Sequence, residues 1–138
     1  MTSDVQFIGS IVELSIPSGA IQSIPAKVDT GADGSSIWAS SIKEDDGKLS
    51  FCLFGPESEY YTGQVIKSST FKRVRVKNSF GHSESRYSVI LNVVIEGRKV
   101  KARFSLANRA LKSYPALIGR RLLNKRFVVD VSLQPANT

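Results

Sequence analysis

The sequence predicts an all-β domain with one short helix near its C-terminus. Three observations carry that expectation. Apolar residues recur mainly with a period of two, the alternation that puts one face of a strand against a core and the other in water. Gly, Pro, Asn, Asp and Ser cluster between those runs and mark turns. Only the stretch from Arg120 to Lys125, just after Gly119, has helical spacing, and it is short.

Taken in chain order, Val5 to Ser15 alternates into a strand, Pro17-Ser18-Gly19-Ala20 reads as a turn, and Ile21 to Val28 returns as a second strand. That hairpin delivers the chain to Asp29. Residues 43 to 50 are polar and read as a loop, and Gly55-Pro56-Glu57-Ser58 reads as a second irregular stretch. Phe71 to Lys77 alternates cleanly, Asn78 to Ser83 interrupts it, and Arg86 to Ile95 resumes extended structure, so the whole is a hairpin with a tip around residue 80. Glu96-Gly97-Arg98 turns the chain into a further strand, Val100 to Leu106. Trp38 is expected in the core or a subunit interface. No internal repeat is present.

A chain of 138 residues that is 41% hydrophobic can bury a real core, and residues 1–138 are read as a single domain. No run approaches the roughly 18 to 20 apolar residues of a membrane helix, and Met1-Thr2-Ser3-Asp4 lacks the basic start of a secretory signal. A cytoplasmic protein with no membrane partner is expected. The single cysteine, Cys52, has no internal disulfide partner, and one histidine, His82, is too few for a Cys/His zinc cage, so neither metal nor cofactor is expected. The net charge of +7 suits an acidic partner. Its basic residues fall in strand-like runs (Lys72 to Lys77, Arg98 to Arg103) with no RNA-recognition signature or recognition helix, which disfavours nucleic acid.

The most informative residues are Lys27-Val28-Asp29-Thr30-Gly31-Ala32. A carboxylate ends an apolar strand and is followed by a small hydroxyl and a glycine. In a catalytic site Asp29 would meet a symmetry copy of itself across one shared proton. The Thr30 hydroxyl would tie the two loops together, and Gly31, with Ala32 after it, would let backbone and substrate approach closely. By itself the tripeptide is also what an ordinary strand-ending turn looks like. A second segment, Tyr114-Pro115-Ala116-Leu117-Ile118-Gly119-Arg120, raises its weight: a short apolar strand runs into a glycine and then a helix.

These two segments, with Ser105-Leu106-Ala107-Asn108-Arg109, resemble the retropepsin-like aspartic peptidases. Within that group the chain is most similar to the bacterial family labelled ATP-dependent zinc proteases, some of whose members accompany ATP-grasp glutamate ligases. The resemblance implies a closed β-barrel. It implies that Leu117, Ile118, Gly119 and Arg120 pack beside the Asp29 loop, with Arg120 in a structural role. It also makes the hairpin tip a flap over substrate, with Phe80, Gly81 and His82 as candidate contacts and His82 as a side chain able to change charge near neutral pH. The zinc and ATP in the family label find no support, since the sequence has no His-Glu-x-x-His and no phosphate loop. Asp-Thr-Gly occurs once, so a dyad needs two chains about a twofold axis. The expected activity is that of a homodimeric aspartic endopeptidase on peptides or proteins, with acidic or glutamate-rich sequences as the candidate substrates. The competing reading is an inactive peptide-binding or dimerisation module on the same barrel, binding by strand addition.

Overall fold

The computed structural model describes residues 4–77 and 80–133. It contains β1 (Gln6–Ile8), β2 (Ile11–Ile16), a 3-10 turn at Pro17–Gly19, β3 (Ile21–Val28), β4 (Ser35–Asp45) and β5 (Lys48–Leu53). Then come β6 (Val65–Ser68), β7 (Lys72–Lys77), β8 (Ser83–Ile95), β9 (Arg98–Ala107), β10 (Ala116–Ile118), α1 (Arg120–Leu123) and β11 (Phe127–Val129). Helix α1 lies where helical spacing predicted it, although it stops two residues sooner.

Six strands close on themselves. The hydrogen-bonded order β10-β3-β2-β8-β9-β4 returns to β10, because β10 pairs in parallel with β3 and antiparallel with β4. The ring is what lets a chain of this size do without exposed edges along its central wall. Leu14, Ile16, Ile24, Ile37, Phe104 and Ile118 fill its interior and are almost wholly buried. Alternation accounts for that list: in β8, Val89, Leu91, Val93 and Ile95 point inward while the residues between them do not. Trp38 is buried, edge-on to Phe54 with centroids 6.4 Å apart.

Two sequence-based expectations need correction. Residues 43–50 are not a loop: β4 and β5 pair down to Asp45↔Lys48, and only Asp46 and Gly47 turn the chain, with φ of 51° and 75°. Two successive positive φ values make this the tight Asp-Gly hairpin turn that matches strand twist, so the polar residues are the wet ends of a long hairpin. Val5 to Ser15 is also not one strand. The chain breaks at Gly9-Ser10, and β1 pairs in parallel with β11 as a separate two-stranded ribbon. Gly9 is required there, since a Cβ on it would sit 2.6 Å from the Leu133 carbonyl oxygen.

The β7–β8 hairpin extends from the ring in continuous register, Lys72↔Ser88 to Lys77↔Ser83. Its root is pinned to the β4–β5 hairpin. The Tyr87 hydroxyl donates to Glu44 Oε1 at 2.9 Å and accepts from Arg73 Nη2 at 2.7 Å, while the Arg73 guanidinium lies 4.6 Å from the centroid of the Tyr87 ring. The bond to Glu44 holds the Tyr87 phenol above its usual pKa.

Candidate active site

The crossing of three chain segments places Asp29. Strand β3 runs parallel to β10, and immediately past its end the Asp29 amide donates to the Ile118 carbonyl at 2.8 Å. The chain then turns through Thr30 to Gly34 and enters β4 on the other side of β10, where Ser36 is opposite Leu117. Returning bonds lock the loop: the Arg120 amide donates to the Ala32 carbonyl at 2.8 Å and the Arg121 amide to the Asp33 carbonyl at 3.0 Å. The predicted neighbourhood of the Asp29 loop and residues 117–120 is therefore a direct backbone junction.

Gly119 is the pivot of that junction. A Cβ there would lie 2.2 Å from the Gly34 carbonyl oxygen and 2.9 Å from that of Ala32. Its amide, buried, donates to the Ser35 hydroxyl at 3.0 Å. Ser35 was not singled out from the sequence; a buried serine that satisfies one distant amide leaves no local pattern.

Within the loop, the Gly31 amide donates to Asp29 Oδ1 at 2.9 Å, and a Cβ on Gly31 would stand 3.3 Å from that oxygen. Glycine thus lets its own amide approach the carboxylate. Oδ2 of Asp29 has no protein partner among the described residues. Asp29 is half-buried and Thr30 exposed. The Arg120 guanidinium pairs with Asp33 at 3.0 Å in an exposed position. Ala32 acts through its carbonyl.

Beside the loop is a cleft of about 740 Å³. Its wall takes in Gly31 to Ser36, the outer face of β8 and β9, and Val74 to Lys77 of the hairpin. Phe80, Gly81 and His82 stand at the exposed end of the hairpin and not in this lining; Gly81 turns the chain at φ 82°. Asn78 and Ser79, the rest of the predicted tip, lie outside the described residues. The cleft is cationic, with Arg75, Lys77, Arg86, Lys101, Arg103, Arg121 and Arg126 against one acid, Asp33. A wall of one sign focuses its field and concentrates anionic ligands. Among the described residues no group of three or more His, Cys, Asp or Glu comes together as a metal site, and no helix is long and apolar enough to cross a membrane.

The comparisons agree with this geometry. Residues 7–137 match a family model described as RimB-like, the retropepsin-like aspartic endopeptidase RimB. Proteins named "probable alpha-L-glutamate ligase" from Shewanella pealeana and Desulfotalea psychrophila are 31% and 30% identical to the chain. The matches cover 94% and 99% of it but only 30% and 31% of those proteins, so the chain spans about a third of their length. A crystal structure of a Legionella pneumophila protein of unknown function has the same fold, with a TM-score of 0.74 at 22% identity over 98% of this chain and 100% of that one.

Proposed function

The chain belongs to the RimB-like family of retropepsin-like aspartic endopeptidases, and from that premise we propose that it is a peptidase built by two copies, each supplying Asp29. The observation that carries the reading is the state of Asp29. One carboxylate oxygen is fixed by the Gly31 amide while the other has no protein partner among the described residues, at the mouth of a junction whose backbone is locked from both sides.

Two such carboxylates at hydrogen-bonding distance cannot both ionise, so the pair holds one proton, and its titration belongs to the pair. The ionised member takes a proton from a bound water as the water oxygen attacks the scissile carbonyl carbon. The protonated member gives its proton to the carbonyl oxygen, leaving a neutral gem-diol. Collapse restores the C=O as the C–N bond breaks, and the leaving nitrogen picks up a proton from the dyad. One water is consumed and two peptides leave. Glycine 31 contributes preorganisation: its amide sets the carboxylate before substrate arrives.

Exposed surface supports the pairing. Thr30 is exposed beside Asp29. In the β1–β11 ribbon, Phe7 and Val128 are opposite each other and present apolar surface, 63% and 44% exposed. Neither ribbon strand has a second neighbour among the described residues, and such edges pair readily with another copy. The cationic cleft supports acidic peptides as substrates, and the relatives are named for joining glutamate.

The test is a peptide library offered to the wild type and to Asp29→Asn across acidic to neutral pH, with products read by mass spectrometry and assembly by sedimentation. The expected result is a dimer in both, cleavage by the wild type alone, and specific activity that rises with protein concentration until the dimer saturates. Equal cleavage by Asp29→Asn, or a fully active monomer, would refute the proposal.

A further inference from the structure

A row of hydroxyls crosses the floor of the cleft. Ser88 of β8 is opposite Ser105 of β9, and Ser105 is opposite Ser36 of β4. All three line the cleft, and Ser88 and Ser36, 2% and 8% exposed, are two of the few buried polar side chains in the described residues. An arginine is attached at each end. Arg103 donates through Nη1 to the Ser88 hydroxyl at 3.1 Å and to the Ser88 carbonyl at 3.2 Å. Arg109 donates through Nε to the Tyr114 carbonyl at 3.0 Å and through Nη1 to the Ser36 hydroxyl at 3.3 Å.

Every acceptor in that arrangement is neutral. Neither guanidinium has a carboxylate within ion-pair distance among the described residues, whereas the neighbouring Arg86 is bound by Glu84 at 2.9 Å. Both arginines are half-buried. Arg109 also feels the charge of Arg86, which, after burial, pushes its guanidinium below the usual value. Taking cations out of water beside another cation is costly unless an anion comes with them. Spare N–H groups remain to receive one: Nε and Nη2 of Arg103 and Nη2 of Arg109 have no acceptor among the described residues. Guanidinium groups held flat by fixed oxygens suit a planar carboxylate.

We propose that Arg103, which lines the cleft and is set by Ser88, forms a carboxylate-binding subsite that fixes the register of an acidic substrate there, with Arg109 adding positive charge from the far end of the row through Ser36. This rests on the peptidase reading and adds to it. The general positive charge of the cleft attracts any acidic peptide, but Arg103 selects a carboxylate at one position along it.

The test uses an acidic peptide that the wild type cleaves, with Glu replaced by Gln one position at a time and kcat/KM measured for each. At one position the change costs the wild type about tenfold to a hundredfold, the worth of hydrogen bonds to a charged group. Arg103→Met brings that Glu/Gln ratio near one, Arg103→Lys restores part of it, and Arg109→Met, Ser36→Ala or Ser88→Ala, which leave Arg103 in place but alter its setting, give intermediate ratios. Lys101→Met, which lowers cleft charge outside the row, slows all acidic peptides and leaves the ratio intact. A ratio unchanged in Arg103→Met, or no position that discriminates in the wild type, overturns the subsite.

Should the wild type cleave nothing, the peptidase reading fails separately, and binding decides. Fluorescein-labelled hexaglutamate is expected to bind Asp29→Asn more tightly than labelled hexaglutamine, and Asp29→Asn/Arg103→Met to lose more of that advantage than Asp29→Asn/Lys101→Met. Equal affinities for the two peptides in Asp29→Asn overturn the subsite.

Discussion

Replacing Gly119 by alanine adds one methyl group at the place where three backbone segments meet. That methyl would lie 2.2 Å from the Gly34 oxygen, 2.6 Å from the Gly34 carbonyl carbon and 2.9 Å from the Ala32 oxygen. All three are main-chain atoms, so no side chain can swing aside. Gly119 has φ −97° and ψ 179°, extended backbone open to any residue, and the penalty is therefore steric alone. Overpacking of this kind costs about 1–3 kcal/mol. Moving the loop away also weakens the Arg120–Ala32 and Arg121–Asp33 backbone bonds, each worth about 0.5–1.5 kcal/mol. The sum, about 2–6 kcal/mol, is a large share of the 5–15 kcal/mol that usually holds a domain together. In urea the midpoint should fall by about 2 M at an unchanged slope. Gly34→Ala is the matched control: it lies across the same junction, a Cβ on it meets nothing within 4 Å, and it should shift stability by no more than about 0.5 kcal/mol. Equal midpoints for the two variants, with wild-type cleavage in both, would refute the claim that Gly119 holds the site by close approach.

Two further outcomes are expected. Arg120→Met should cost less than about 1 kcal/mol in chemical denaturation, because its ion pair with Asp33 joins side chains that are 61% and 67% exposed; a larger loss would mean that Arg120 acts through contacts other than this pair. The Ser132 hydroxyl and amide hold the Asp130 carboxyl below its usual range. A depressed folded-state value stabilises above the unfolded value, about 3.9, and that contribution is lost as pH falls through the folded one. The Tm advantage of wild type over Asp130→Asn should therefore be present at neutral pH and vanish towards pH 2; an advantage that grows on acidification would reverse the assignment.

Much of the fold could be read locally because strand alternation and turn residues are local signals. The β7–β8–β9 meander was legible in that way, and so was the short helix after Gly119. Where the reading went astray, a local rule was misweighted or a distant partner decided. By composition the polar run at 43–50 reads as a loop, although Asp46-Gly47 is the residue pair that tight hairpins favour. The break after Ile8 exists because β1 finds β11, more than a hundred residues along the chain, and nothing near Gly9 announces that partner.

For the site, the sequence by itself determined the chemistry that is contiguous in the chain: a carboxylate at a strand end, an amide freed by glycine to bind it, and a second glycine before a helix. Those properties follow from residue type and immediate neighbours. Tertiary structure alone decided what crosses strands: the Ser35 hydroxyl under Gly119, the cleft walled by β7, β8 and β9, and the serine row that seats Arg103 and Arg109. Strand register is the physical reason. Sliding one strand by a single residue would turn its side chains to the opposite face and dissolve the row, and that register is set by the closed ring as a whole.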